Sequence, residues 1–229
     1  PYWAMREIIA DSAIGEVVHV SAQKSYPYHD GRPTSEAVDR GMVAQKGVHA
    51  VRFIEHVAGA RAVAIEAIDT QLGETRPGSD LKMAASMMGT LETGGVFSVA
   101  ANYLNPTGFG TWGNEMLRVF GTRGMLESVE GGTRTRLVVG NTDHGAIDTS
   151  TPAPDWLDLV IAHAADGRPV PFDLETELHP TRMVLRARAD AEQRRKACED
   201  AEPASATLDL PKACRDRSAS LPGQETSRR

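Results

Sequence analysis

Apolar positions recur with helical spacing in four segments of the chain. Side chains three and four positions apart share one face of an α-helix, so this spacing predicts helices. The predicted helices span residues 2–10, 42–57, 155–166 and 174–200. Asp155 is expected to cap the third helix through its side chain, and Gly167 to end it.

Shorter segments carry the Val-rich or alternating patterns that are typical of β-strands. The predicted strands span residues 17–23, 61–71, 81–92, 96–104, 115–120, 125–129 and 134–139. Gly94-Gly95 and Gly121–Gly124 are expected to form hairpin turns between neighbouring strands. Because runs of strands are separated from runs of helices, we expect an α+β fold with an open, mainly antiparallel sheet and helices packed on one face.

The composition is that of an ordinary globular protein with a mild acidic excess. Lys and Arg number 25 against 31 Asp and Glu, which gives a net charge of −6, and apolar residues make up 41%. This balance argues against a nucleic-acid partner, because binding to phosphate needs clustered cations. No apolar run approaches the roughly 18 residues of a membrane span, and the first residues lack the layout of a signal peptide. The two cysteines cannot form a disulfide framework, so we expect a cytoplasmic protein.

The composition changes beyond residue 200, where Ser, Pro, Ala, Arg and Asp predominate. A segment with so few large apolar residues cannot bury enough surface to fold alone. We therefore expect a folded domain over residues 1–200 and a disordered tail over residues 201–229. A short strand over residues 207–211 is the one element that this tail could form.

Gly108–Gly113 match the G-x-G-x-x-G pattern of dinucleotide-binding turns. That function requires a strand before the glycines and a helix that opens within them, because the helix N-terminus holds the pyrophosphate. Here Pro106 precedes the glycines, and an alternating, strand-like segment follows them from Glu115. A glycine-rich loop between two strands is therefore expected.

Ser21 and Lys24 have the S-x-x-K spacing of a nucleophile and its base. That chemistry places the two side chains one helical turn apart. The strand predicted here would direct them to opposite faces instead, so no such nucleophile is expected.

The helix predicted over residues 42–57 carries the most suggestive chemistry. Gln45 and His49 are four positions apart and would share one face, with Lys46 beside them. An imidazole in that setting could transfer a proton near neutral pH. The competing interpretation is a partly buried histidine held by a backbone or carboxylate partner.

The loop that follows the first strand is rich in aromatic residues and turn signals. It contains Tyr28 and His29, followed by Asp-Gly and then Pro33. These side chains could line a pocket, and a plain surface turn is the alternative.

Several short motifs follow one another in a characteristic order. Pro1-Tyr2-Trp3 enters the first helix, Ile14–Val17 turns into the first strand, Gly41–His49 carries the histidine, and Leu117–Glu127 forms a hairpin. Leu208-Asp-Leu-Pro211 is the last of these motifs. In these features the chain resembles the C-terminal domain of the Gfo/Idh/MocA family, the sugar and inositol dehydrogenase-like oxidoreductases. The resemblance implies the fold of a glyceraldehyde-3-phosphate dehydrogenase-like C-terminal domain.

The resemblance also implies an activity: hydride transfer between NAD or NADP and a sugar, inositol or related polyol. His49 and Lys46 would then be the catalytic residues, and Gln45, Tyr28 and His29 would contact the substrate. In such enzymes the cofactor is held by an N-terminal Rossmann domain, and the open sheet commonly forms a homo-oligomer interface. The chain begins at Pro1 without a Met, where these enzymes pass from one domain into the other. Alone, it is expected to be inactive and to bind neither cofactor.

The sequence also departs from the family pattern. Gln45 and Arg52 stand where the family often has Asp, so His49 lacks carboxylates that would raise its pKa. Lys46 could restore a proton-transfer group. The alternative is a non-catalytic binding or oligomerisation module that has lost the family chemistry. A third interpretation is a variant that cleaves glycosides through transient oxidation.

Overall fold

A long helix lies across an eight-stranded sheet. The computed structural model describes residues 1–28, 31–170 and 173–200. The helices are α1 (Tyr2–Ala10), α2 (Glu36–Asp39), α3 (Gly41–Ala58), α4 (Trp156–Asp166) and α5 (Leu174–Asp200). The strands are β1 (Val17–Ser25), β2 (Ala62–Thr70), β3 (Ala84–Leu91), β4 (Val96–Asn102), β5 (Asn114–Gly121), β6 (Gly124–Val129), β7 (Arg134–Val139) and β8 (Thr142–Gly145).

The sheet has the strand order β2-β3-β4-β1-β5-β6-β7-β8. Neighbouring strands are antiparallel except for the central pair β1–β4, which is parallel. This confirms the α+β class and the mainly antiparallel sheet. The parallel pair arises because α3 and the β2–β3 hairpin intervene along the chain before β4 returns beside β1.

One face of the sheet packs against α3 and forms the core. Along β4 the buried residues Phe97, Val99 and Ala101 alternate with more exposed ones, as the period of a strand requires. Gly47 lies in the middle of α3, where a Cβ atom would lie 3.0 Å from the Met87 side chain on β3. A glycine at this point therefore lets the helix backbone approach the sheet closely.

The predicted helices and strands are confirmed, with shifts of a few residues at their ends. The Asp155 carboxylate accepts a hydrogen bond from the Leu157 backbone N–H, and Gly167 ends α4 in the left-handed region. The sequence analysis missed α2 and β8, each only four residues long. Elements this short contain too few positions to show a hydrophobic period.

The chain divides into two units, residues 1–194 and residues 195–229. The first contains the sheet and all helices up to the last turns of α5. Of the second, the structure describes residues 195–200, which are helical. The predicted tail over residues 201–229, with its strand over residues 207–211, lies outside the described residues. Within the described part of the chain, no helix is both long enough and apolar enough to cross a membrane.

Candidate active site

The middle of α3 carries the histidine that the sequence singles out. His49 follows Gln45 by one helical turn and lies close to Lys46 on the helix surface. His49 is exposed, whereas Lys46 and Gln45 are half-buried. The structure thus places an accessible imidazole beside a partly covered ammonium group.

A lysine–glutamate pair joins β1 to β5. Lys24 and Glu115 are direct cross-strand partners, and Lys24 Nζ lies 2.5 Å from Glu115 Oε1. Lys24 occupies a core-facing position and its side chain is only 3% exposed. Its Nζ also lies 3.7 Å from the centre of the Phe53 ring on α3. A carboxylate and an aromatic face therefore both stabilise this buried ammonium group.

Tyr26 links this pair to the histidine helix. Its hydroxyl donates a hydrogen bond to the same Glu115 oxygen that contacts Lys24. Lys46 Nζ, from α3, lies 4.2 Å from the centre of the Tyr26 ring. Strand β1 with the residue that follows it, strand β5 and helix α3 thus bring together five side chains. We call them the His49 cluster: Lys24, Tyr26, Lys46, His49 and Glu115.

The electrostatics of the His49 cluster favour a neutral imidazole. Although His49 is exposed, partial shielding of its ring from solvent lowers the pKa of the imidazole. The positive charges of Lys24 and Lys46 lower that pKa further, and Glu115 opposes them. Burial likewise lowers the pKa of Lys46. Burial acts to raise the pKa of Glu115, but hydrogen bonds from Lys24 and Tyr26 outweigh it and hold that pKa below its usual value. A neutral His49 beside cationic groups can accept a proton from a bound hydroxyl.

The predicted pKa of His49 can be tested by changing its charged neighbours. Replacing Lys46 by methionine is expected to raise the pKa of the imidazole, because the change removes a positive charge and keeps the apolar stem. Replacing Glu115 by glutamine is expected to lower it, because the opposing negative charge disappears. NMR titration of the His49 ring measures both shifts, with the exposed His144 as an internal reference. The same His49 pKa in all three proteins would show that these charges do not act on it.

Gln45 belongs to a second, buried network. Its Oε1 accepts hydrogen bonds from the Tyr103 hydroxyl at 2.9 Å and from Arg32 Nη1 at 3.2 Å. Its Nε2 donates to the Asp39 carbonyl oxygen at 3.0 Å. Arg32 also pairs with the Asp39 carboxylate at 3.2 Å. The Gln45 amide thus ties α2 to α3, and its predicted contact with substrate stays a prediction.

Tyr28 lies in a different polar group from the His49 cluster. Its hydroxyl lies 3.5 Å from Glu74 Oε2, and the Arg76 guanidinium carbon lies 5.0 Å from the centre of its ring. Hydrogen bonds from Arg76 lower the pKa of Glu74 to about 2. The substrate contact proposed for Tyr28 stays a prediction, and His29 lies outside the described residues.

The sequence analysis missed three members of the His49 cluster: Lys24, Tyr26 and Glu115. It considered Lys24 only as a partner for Ser21, and the structure confirms that these two side chains point to opposite faces of β1. One signal was available, since Lys24 falls in phase with the apolar positions Val20 and Ala22. A charged residue at a core-facing position requires a partner, and that pattern predicts a buried ion pair.

Two further features of the described residues bear on metal and dinucleotide binding. They contain no group of three or more His, Cys, Asp and Glu side chains that could hold a metal. The Gly108–Gly113 segment is a loop that begins within a single 3-10 turn, Thr107–Phe109, and leads directly into β5. Because no helix opens within these glycines, the segment lacks the N-terminal dipole that holds a pyrophosphate. This segment therefore does not fit the pyrophosphate of a dinucleotide.

The sequence profile of the GFO/IDH/MocA C-terminal domain matches residues 2–127, more than half of the chain. The chain belongs to this family. The resemblance found in the motifs is thereby confirmed, and the whole His49 cluster lies within the matched residues of this GFO/IDH/MocA C-terminal domain. No curated protein matches the chain.

Solved structures of oxidoreductases share the fold of this GFO/IDH/MocA domain. A Thermotoga maritima protein described as an oxidoreductase has a TM-score of 0.72 and 22% identity, over 84% of this chain and 58% of its own. Aldose-aldose oxidoreductase from Caulobacter crescentus, complexed with glycerol, has a TM-score of 0.70 and 15% identity, over 85% of this chain and 59% of its own. GenD2 from gentamicin A biosynthesis, in complex with NAD, has a TM-score of 0.62 and 19% identity, over 85% of this chain and 59% of its own. The chain spans about three fifths of the length of these structures.

Proposed function

We propose that this chain is the substrate-binding part of an NAD(P)-dependent oxidoreductase that acts on a sugar, inositol or related polyol. The observation that carries the proposal is the accessible, neutral imidazole of His49 beside two lysines and a glutamate. The names of two structural neighbours, an aldose oxidoreductase and a protein bound to NAD, support the class of substrate and cofactor. As part of the same proposal, the enzyme works in the cytoplasm.

In the proposed reaction the residues of this chain handle the proton. His49 accepts the proton of the substrate hydroxyl, since its lowered pKa keeps the imidazole unprotonated. Lys46 lies close enough on α3 to stabilise negative charge that develops on the substrate oxygen. Lys24, Tyr26 and Glu115 hold the surrounding charges in place through their mutual hydrogen bonds. When bound to the full-length enzyme, NAD or NADP would supply the hydride acceptor.

The experiment is an assay of the full-length enzyme against aldoses, inositols and linear alditols, each with NAD and with NADP. Formation of the reduced nicotinamide is followed by absorbance. Substrate-dependent reduction of one cofactor is expected with at least one of these compounds. No reduction across the whole panel would overturn the proposed activity. The isolated chain is expected to give no signal with any combination.

A second candidate function is a non-catalytic binding or oligomerisation module. The sheet face opposite α3 favours it, because large apolar side chains stay exposed there. Ile68, Met88 and Val96 are 63%, 64% and 46% exposed, and the strand registers place them on that face. Exposed apolar side chains grouped on one face are typical of an interface. We propose that a second copy of the chain covers this face, in the enzyme as well as in the alternative module.

Replacing Met88 by glutamate is expected to shift this homo-oligomer towards monomers. A symmetric interface would bury the new charge twice and without a partner, which is strongly unfavourable. Light scattering after size exclusion measures the effect, which should reach at least a tenfold rise in the dissociation constant. Leu157→Glu on α4 is the matched control, since Leu157 is also exposed and apolar but lies away from the sheet. An unchanged mass for the Met88 variant would exclude this face as the interface.

A further inference from the structure

A separate cavity of about 220 Å³ opens beyond the His49 cluster. Its walls come from α1, α3, the loop before α4, α4 itself and the start of α5. Trp3 and Arg6 line it from α1, Arg52 and His56 from α3, and Trp156 from α4. At roughly 30 Å³ per water molecule, the volume corresponds to about seven waters. The cavity therefore has room for one small ring and falls below the range of about 300–1,000 Å³ of drug-sized pockets.

The polar groups of the cavity leave one net positive charge. Arg52 is paired with Glu177 at 2.5 Å. Arg6 Nη1 donates to the His56 carbonyl oxygen at 2.6 Å, and among the described residues no carboxylate lies within ion-pair distance of Arg6. Burial, followed by the charges of Arg6 and Arg52, lowers the pKa of His56 to about 4, so His56 is neutral at physiological pH. One uncompensated guanidinium matches a ligand with a single negative charge.

The other walls are aromatic. The Trp3 ring lies 6.0 Å from the His56 ring, measured between centres. Trp156 is 66% exposed, so most of this large apolar side chain at the edge of the cavity is accessible to a ligand. The negative face of an indole attracts C–H groups and cations, and therefore suits the C–H face of a saturated ring.

We propose that this cavity binds the acidic ring of a sugar substrate, a pyranose that carries one carboxylate. The carboxylate would accept hydrogen bonds from Arg6 and Arg52, and the C–H face of the ring would lie against Trp156. Guanidinium groups suit this task because their N–H donors match the two oxygens of a carboxylate. The single net charge favours a carboxylate over a diphosphate, which would need more cations.

The position of the cavity along α3 suits a sugar unit that is remote from the reacting carbon of the substrate. Arg52 and His56 follow His49 by three and seven residues, or about 4.5 and 10.5 Å of helical rise. An acidic ring held there would orient a second unit of the same glycoside towards His49. Binding energy from such a remote unit can be used to position the reacting one. The identification of the ring as a sugar rests on the proposed function, whereas the anion site does not.

The test is calorimetric titration of the full-length protein with D-glucuronate, D-glucose and benzoate. Glucuronate is expected to bind at least tenfold more tightly than glucose and than benzoate. Arg6→Gln and Trp156→Ala should each weaken glucuronate binding at least tenfold without lowering the melting temperature. Trp112→Ala is the matched control, because Trp112 is also exposed but lies in the loop before β5, and it should leave binding unchanged.

Three results would overturn the inference. Equal binding of glucuronate and glucose would show that no carboxylate is recognised, and equal binding of benzoate would indicate a site for aromatic acids. Unchanged glucuronate binding in both the Arg6 and the Trp156 variants would place the ligand elsewhere. Because the titration measures binding without turnover, a failure of the proposed anion site can be distinguished from a failure of the proposed oxidoreductase activity. If the enzyme oxidises neutral sugars but does not bind glucuronate, only the proposed acidic-sugar site is wrong. If it binds glucuronate but oxidises no compound, only the proposed activity is wrong.

Discussion

Replacing His49 by glutamine in the full-length enzyme is expected to lower kcat by about 100-fold to 10,000-fold, the usual contribution of a positioned acid or base. Glutamine keeps a polar side chain of similar reach but cannot accept a proton at physiological pH. The loss should appear in kcat more than in KM, because proton transfer takes place in the transition state. Steady-state kinetics with the best substrate of the panel measures both constants.

The pH dependence gives this prediction a second readout. The unprotonated imidazole is the active form, so kcat/KM of the native enzyme should fall as the pH drops through the pKa of His49. That pKa is lowered, and the fall should therefore begin below the ordinary histidine range. His144→Gln, on the exposed strand β8, is the matched control and should retain the native rate and profile. A His49 variant with native kcat would rule out the proposed proton acceptor.

Replacing Asp39 by alanine is expected to lower the free energy of unfolding by about 3–5 kcal/mol, the usual effect of breaking a buried ion pair. The Asp39 side chain is fully buried, and Arg32, its ion-pair partner, is only 10% exposed. The Tyr103 hydroxyl oxygen also lies 3.2 Å from the carboxylate. The variant would therefore leave a buried guanidinium without its counter-charge. Chemical denaturation followed by circular dichroism measures the change.

An exposed ion pair provides the comparison for Asp39. Arg136 and Asp143 form a pair with a closest distance of 2.6 Å, but both side chains are about half exposed. Solvent screens such pairs, so Asp143→Ala should leave the denaturation midpoint close to that of the native protein. If the two variants unfolded at the same midpoint, the buried network around Gln45 would not contribute to stability.

The sequence reveals the long helices and strands because each of them buries a face whose period is visible locally. The α3 pattern even places Gln45, Lys46 and His49 together, since a helix converts short sequence spacings into neighbours. The strand order is different in kind, because it depends on which distant segments pair. Nothing local shows that β1 lies between β4 and β5.

The candidate site likewise has a part that local sequence patterns predict and a part that depends on strand pairing. His49 and Lys46 are predictable from one helix, and the family resemblance supports the histidine. The contact of Lys24 with Glu115 joins residues 91 positions apart, and it becomes apparent only when the register of β1 and β5 is known. The carboxylate that acts on His49 thus comes from Glu115 on β5 and not from α3 itself.

The central position of β1 has a consequence for how the chain folds. Ser25 and Lys24 meet their partners 77 and 91 residues later, so both neighbours of β1 are synthesised long after it. The β2–β3 and β5–β6 pairs join strands that follow each other along the chain and can form early, whereas β1 must wait for β4 and β5. Closing such long loops slows folding. The lysine–glutamate pair of the site can therefore form only once the centre of the sheet has assembled, which couples the proposed chemistry to the slowest part of folding.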